Sequence, residues 1–148
     1  MPATTSTGQQ LLVALLAVSR RLKPRPPDSR LDPASVFVLH HLHASGPLRV
    51  SELARCLQLD ASTVSRHVAH LQDGGYLTRS GDPDDRRATR VLLTDRGRAV
   101  LDETMRARAA VVDTATRDWP GEDRQALTSL MTRLADCLDR LAAERETG

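Results

Sequence analysis

The sequence predicts a mainly α-helical chain carrying one small β-hairpin, on three observations. Leucine, valine and alanine recur at helical spacing over most of its length, while the aromatics are Phe37, Tyr76 and Trp119, so aliphatic ridges must form the core. Two β-prone runs, Tyr76 to Arg79 and Thr89 to Leu93, bracket an aspartate-rich turn. Breakers at Gly46-Pro47, Gly74-Gly75 and Trp119-Pro120-Gly121 cut the chain into elements of ordinary length.

The elements follow in order. Met1 to Gly8 is small and polar, and reads as a flexible tail. Leu11, Leu12, Leu15, Leu16 and Leu22 mark a first helix, with Arg20, Arg21 and Lys23 at the end where the helix dipole favours cations. Pro24, Pro26 and Pro27 stop it and form a stiff link. Asp32-Pro33 opens a second helix, aspartate as N-cap and proline at the first helical position, running to about Ala44. A short third helix spans Ser51 to about Gln58. The fourth runs from an Asp60 cap to Asp73 and stops at the glycine pair. After the hairpin, Thr94 caps a fifth helix reaching about Thr116. The last helix places Leu127, Leu130, Leu134, Leu138 and Leu141 three and four apart, a seam suited to helix–helix packing.

Composition narrows the function classes. A chain of 148 residues with 40% hydrophobic content fits a globular domain. The net charge of +2 is too small to establish a nucleic-acid partner by itself, so placement of charge decides. Lys23 is the one lysine among 21 basic residues; arginine, with its planar fork, reads phosphate and guanine better, although the abundance of Ala and Arg also fits a GC-rich genome. Cys56 and Cys137 are too few for a disulfide scaffold and fit a reducing interior. The longest apolar run, Leu11 to Val18, is too short for a bilayer and lacks a basic segment before it, so the expected location is the bacterial cytoplasm, associated with the nucleoid through DNA binding. No nucleophile-elbow glycine pattern, His-Glu-x-x-His or phosphate loop is present, so an enzyme is not expected, and no cofactor.

The fourth helix carries the most informative face. At 100° per residue, Val64, Val68 and Leu71 fall on one side and Arg66 opposite. Ser62, Thr63 and His70 lie within reach of that outer side, with Ser65 and His67 on the flanks. Short hydroxyls around one long basic fork suit a helix pressed into a major groove, where arginine can bond guanine O6 and N7. Any surface helix has a polar outer face; what singles this one out is the preceding Val50-Ser51-Glu52-Leu53-Ala54, then Leu57 and Leu59, then a fresh cap, the rhythm of a helix-turn-helix. Downstream, Arg86 and Arg87 sit at the hairpin tip, a wing suited to a minor groove. The aspartates around them have two readings. Asp82 and Asp84 suit ordinary turn chemistry, whereas Asp85, two positions before Arg87, permits a carboxylate–guanidinium pair that would aim the arginine.

Ser51-Glu52-Leu53-Ala54, Ser62-Thr63-Val64-Ser65-Arg66, and Asp82-Pro83-Asp84-Asp85-Arg86-Arg87 followed by Leu93-Thr94 and Gly97 together resemble the MarR family of bacterial multiple-antibiotic-resistance-type regulators. The resemblance runs from the first helix to the last. It implies a winged helix-turn-helix lobe over 31–94 and a helical dimerisation region formed by 9–30 and 95–148. It also implies a homodimeric repressor that answers to a small-molecule effector and straddles a near-palindromic operator on double-stranded DNA. The fourth helix would lie in the major groove and the wing at 80–90 in the minor groove. By motif, Arg87 is the wing-tip residue, Asp85 orients it, and Arg66 is the recognition-helix arginine. Arg49 departs from the pattern, standing where many relatives carry a capping Thr or Ser; it is left free to touch phosphate.

Sensing is less legible. His40, His41 and His43 cluster on the second helix, and His67 and His70 lie three apart, a spacing that can share a metal. His40 and His41 point to different faces, however. Both cysteines read as buried, and the first helix, where redox-sensing relatives carry their reactive cysteine, has none. The competing readings are a metal- or oxidation-sensing regulator of the same fold and, from another class, a helical protein-binding module, which would leave the arginine wing without a purpose. No effector-binding residues can be named.

Overall fold

The computed structural model describes residues 6–22 and 31–146. The proline link and most of the predicted tail lie outside them. Six helices and one hairpin follow in the order α1 (Thr7–Arg21), α2 (Pro33–Ser45), α3 (Val50–Leu57), α4 (Ala61–Asp73), β1 (Leu77–Gly81), β2 (Thr89–Leu93), α5 (Asp95–Ala115) and α6 (Gly121–Glu146). The predicted fold class, mainly α with a hairpin wing on a helix-turn-helix, is the one observed. Two compact units divide the chain, Met1–Ala109 and Ala110–Gly148.

Helix starts follow the capping chemistry. Asp32 accepts from Ser35 N at 2.8 Å and from the Ser35 hydroxyl at 3.1 Å, which satisfies a serine that is wholly buried. α1 begins earlier than its leucine stripe suggests. Ser6 and Gln9 form a reciprocal capping box, Ser6 N donating to Gln9 at 2.8 Å and Gln9 N to Ser6 at 3.2 Å. Helix ends are equally specific. At the end of α4, Gly75 has φ +74° while Tyr76 N donates to Leu71 O and Gly75 N to Gln72 O, the two closing bonds of a Schellman turn. The α3–α4 turn repeats this with a residue that tolerates it less. Gln58 takes φ +52° as Leu59 N donates to Ala54 O and Gln58 N to Arg55 O.

The core of the first unit is aliphatic, as the composition requires. Leu39, Leu53, Leu71, Val64, Val68 and Val91 are fully buried, with Val38 and Leu101 nearly so. α2, α3 and α4 pack around these residues, and the hairpin covers one side through Leu77, Val91 and Leu93. β1 and β2 are antiparallel, with Leu77 opposite Leu93 and Gly81 opposite Thr89. The first strand starts one residue later and extends two further than its β-prone run. Leu48 adds a one-residue third strand: its N–H and C=O bond Val91 O and N at 3.1 and 2.8 Å, which fastens the α2–α3 loop to the wing.

The motif Leu93-Thr94-Asp95-Arg96-Gly97 is a joint. Thr94 Oγ1 accepts from Gly97 N at 3.0 Å and donates to Gly75 O at 2.7 Å, while Thr94 N donates to Tyr76 O at 3.1 Å. A Cβ on Gly97 would stand 2.0 Å from Tyr76 O, so only glycine allows α5 to start this close to the strand. Arg96 covers the Tyr76 ring, its guanidinium carbon 5.1 Å from the centroid. In the second unit α6 leaves Leu127, Leu130, Met131, Leu138 and Leu141 exposed.

Candidate nucleic-acid interface

α4 divides as its periodicity predicts. Val64, Val68 and Leu71 are buried, whereas Ser62, Ser65, Arg66 and His70 are exposed and Thr63 and His67 lie between. Its amino terminus is a small network. Asp60 accepts from Thr63 N at 2.8 Å and from the hydroxyls of Ser62 and Thr63, and the Thr63 hydroxyl in turn accepts from Arg66 Nη2 at 3.2 Å. The hydroxyl donors of Ser62, then Thr63, hold the Asp60 carboxyl well below the usual carboxylate range. The consequence is chemical: both hydroxyl protons are engaged with Asp60, so these side chains meet a partner chiefly as acceptors. Arg66, anchored by one nitrogen, keeps the rest of its fork exposed.

The wing loop is built by its aspartates. Asp82 N donates to Ala88 O at 3.1 Å and closes the loop, and Ala88 N donates to Asp85 O at 2.9 Å, which puts Arg86 and Arg87 at the centre of a tight turn. Both arginines are exposed. The expected Asp85–Arg87 ion pair is not formed among the described residues. Asp85 Oδ1 instead accepts from the backbone N–H of Arg87 at 2.9 Å, and its other oxygen lies 3.8 Å from Arg49 Nη2. Two residues is the reach of an aspartate to the main chain, and the turn takes that bond in preference to the guanidinium. Asp85 therefore shapes the backbone under Arg87 and leaves its fork free.

Asp82 and Arg49 depart most from expectation. Asp82 is a turn residue on one oxygen, which accepts from Asp84 N at 2.9 Å. Its other oxygen accepts from Arg49 Nε at 2.6 Å and from Arg90 Nε at 2.9 Å, with the Asp82 side chain 0% exposed. Arg49, then Arg90, hold this carboxyl well below the usual range, and Asp82 in turn pushes the Arg49 guanidinium up. Arg49 is thus an internal partner of the wing rather than a free phosphate-seeking group. The lost cap of α3 is supplied in reverse, since Arg49 has no acceptor to offer: the Glu52 carboxylate accepts from Arg49 N at 2.7 Å.

Sequence reasoning missed three members of this surface. Arg90 also reaches exposed Asp84 at 3.1 Å, Arg79 bonds Gln72 of α4 at 3.2 Å and Thr89 of β2 at 3.3 Å, and Leu48 bridges to Val91. Strand register could have brought Arg90 to attention, because it stands beside the loop it braces. The Arg49–Asp82 contact carries no local signal.

The candidate sensors fare differently. Cys56 is exposed and Cys137 is half-buried with Arg140 Nη2 3.1 Å from its sulfur, so neither is the core cysteine expected from composition. Cys56 is exposed on α3 although it stands only one turn beyond buried Leu53. His41 lies 3.4 Å from Ser45 Oγ, while His40 and His43 are exposed. Among the described residues no group of three or more His, Cys, Asp or Glu side chains could hold a metal.

With this geometry in place, the chain can be set beside known proteins. A model of the MarR family matches residues 31–88, from α2 into the wing loop. The HTH-type transcriptional regulator YxaD of Bacillus subtilis (strain 168), itself uncharacterized, is 30% identical over 104 residues, covering 70% of this chain and 73% of its own. The HTH-type transcriptional repressor MdtR of the same organism is 29% identical over 116 residues, covering 76% and 75%. Among solved structures, a crystal structure of MarR is 25% identical, with a TM-score of 0.79 over 97% of this chain and 98% of that one. BpsR of Bordetella bronchiseptica, whose DNA binding is regulated by 6-hydroxynicotinic acid, is 25% identical with a TM-score of 0.70 over 92% and 97%.

Proposed function

The chain belongs to the MarR family of DNA-binding transcriptional regulators, which are not enzymes, and from that premise we propose that it is a homodimeric repressor of a near-palindromic operator. Each α4 lies in a major groove, with Arg66 bonding a guanine edge and Ser62, Thr63, Ser65, His67 and His70 ranged around it. Each wing reaches the adjacent minor groove with Arg86 and Arg87, over the turn that Asp85 holds. One observation carries the reading: the exposed fork of Arg66 and the two tip arginines project from elements braced to one another, through Arg79 between α4 and the hairpin and through the Asp82 cluster.

Segments 9–30 and 95–148 form the dimerisation region in this reading. Support comes from the leucines of α1 and α6, exposed in the single chain. Two identical protomers bring two wings to one duplex and impose two-fold symmetry on the site. Repression is favoured by the similarity to MdtR, and a small-molecule effector by the similarity to BpsR, whose own effector is an aromatic acid. The site of action is the bacterial cytoplasm, at the nucleoid; no helix among the described residues is long and apolar enough to cross a membrane.

Selection of bound duplexes from a randomised pool, followed by footprinting, tests this reading. It predicts a near-palindrome protected over two half-sites roughly one helical turn apart. Recovery of no preferred sequence, or of a single unsymmetrical half-site, would contradict it.

A further inference from the structure

We infer that Asp82 is a positioning residue for DNA binding: its carboxylate clamps Arg49 of the helix-turn-helix to Arg90 of the wing, and so fixes where the tip arginines stand relative to α4. The inference rests on the DNA-binding reading above and extends it to a residue that touches no DNA.

The clamp is distinguished from ordinary turn chemistry by its geometry. One oxygen of Asp82 serves the loop through Asp84 N, whereas the other serves two guanidiniums from separate elements, at 2.6 Å and 2.9 Å. Arg49 caps α3 from 33 residues upstream, and Arg90 sits on β2 opposite Ser80. The carboxylate is wholly shielded, and a shielded charge with two charge-assisted partners resists displacement far better than an exposed pair. The Leu48–Val91 bridge, adjacent in sequence to both arginines, and the longer Arg49–Asp85 approach at 3.8 Å tie the same parts of the chain together. The loop that carries Arg86 and Arg87 begins at Asp82 itself, so rotation of the wing base moves the tip directly.

Asp84 supplies the control. It is in the same loop, bears the same charge, and its side chain is 80% exposed, bound to Arg90 at 3.1 Å. If aspartates here acted on DNA only through their charge, neutralising either would tighten binding. Positioning by Asp82 predicts a loss for Asp82→Asn and no loss for Asp84→Asn.

The experiment measures binding of full-length wild type, Asp82→Asn, Asp84→Asn and the Arg87→Ala versions of each to a duplex selected by wild type from a randomised pool, with a scrambled duplex alongside. Asp82→Asn is expected to weaken binding to the selected duplex about tenfold, with little change on the scrambled one. Asp84→Asn is expected to bind equally or more tightly. In the Arg87→Ala background the Asp82→Asn loss shrinks, because only Arg86 is left at the tip to be aimed. Should Asp82→Asn fail to fold, Arg49→Gln cuts the link from the α3 side together with the longer Arg49–Asp85 approach, and its coupling to Arg87→Ala reads the two ties combined. Additive losses, or tighter binding by Asp82→Asn, overturn the inference while leaving the DNA-binding reading intact. A wild type that selects no duplex defeats that reading instead.

Discussion

Arg49 Nε donates to the shielded carboxylate of Asp82 at 2.6 Å, joining the start of α3 to the base of the wing. The contact orders the arginine as much as the aspartate: a side chain that looks available for phosphate is held within the fold, whereas Arg66 of α4 and Arg86 and Arg87 of the wing tip stay exposed.

Acid should loosen this joint. The folded Asp82 carboxyl lies below its ordinary 3.8, through Arg49 first and Arg90 second, and Asp60 is lowered by the Ser62 and Thr63 hydroxyls. A depressed carboxyl contributes stability that is present above the unfolded pKa and lost as pH falls through the folded one. Thermal melting between about pH 5 and pH 2 should thus show a midpoint that falls with pH. The fall should be shallower in Asp82→Asn, and an identical slope in that variant would deny Asp82 a part in it.

The α5 joint makes a prediction about packing alone. Gly97→Ala drives a methyl into the Tyr76 carbonyl, which is main chain and cannot swing aside. Overpacking of this kind costs about 1–3 kcal/mol. Thr94→Ala, which removes the cap on Gly97 N and the bond to Gly75 O, should cost about 1 kcal/mol. Denaturant titration of both variants checks the order, and a Gly97→Ala midpoint equal to wild type would show that α5 starts farther from the strand.

Gln58 offers a change in the other direction. A left-handed φ of +52° suits glycine, and a side chain there costs roughly 1 kcal/mol. The extra freedom of glycine in the unfolded chain offsets part of the gain, so Gln58→Gly should stabilise by about 0.5 kcal/mol. Equilibrium unfolding measures it, and destabilisation would mean that the exposed glutamine makes a contact worth more than its strain.

The wing tip should act on DNA and not on the fold. Arg87→Ala is expected to weaken binding and to lower the slope of log affinity against log salt by about 1, with the melting temperature unchanged. Asp85→Ala should weaken binding too, although it removes a negative charge, because Asp85 Oδ1 holds Arg87 N in the turn. Tighter binding by Asp85→Ala would show that charge repulsion outweighs loop geometry.

What the sequence made legible was whatever is local. Periodicity placed Val64, Val68 and Leu71 inside and Arg66 outside, caps at Asp32 and Asp60 set two helix starts, and Gly75 set a helix end. Short-range chemistry misled where two local partners competed: Asp85 was expected at the Arg87 guanidinium and bonds its backbone. Cys56 looked apolar by type, yet its position on α3 leaves it outside. Contacts across the chain left no trace, since nothing near Arg49 announces Asp82 and nothing near Leu48 announces Val91. Both contacts join segments far apart in sequence, and tertiary packing alone reveals them.

The central claim, that Arg66 and the wing-tip arginines grip a duplex from both grooves, is tested most directly by salt-titrated binding of the selected duplex to wild type and to the Arg66→Ala, Arg87→Ala double variant. With melting temperatures matched, the account predicts that the variant loses most of its preference for the selected over the scrambled duplex, with about 1–3 kcal/mol of that loss coming from the guanine contact, and shows a flatter salt slope. Undiminished preference and an unchanged slope would contradict it.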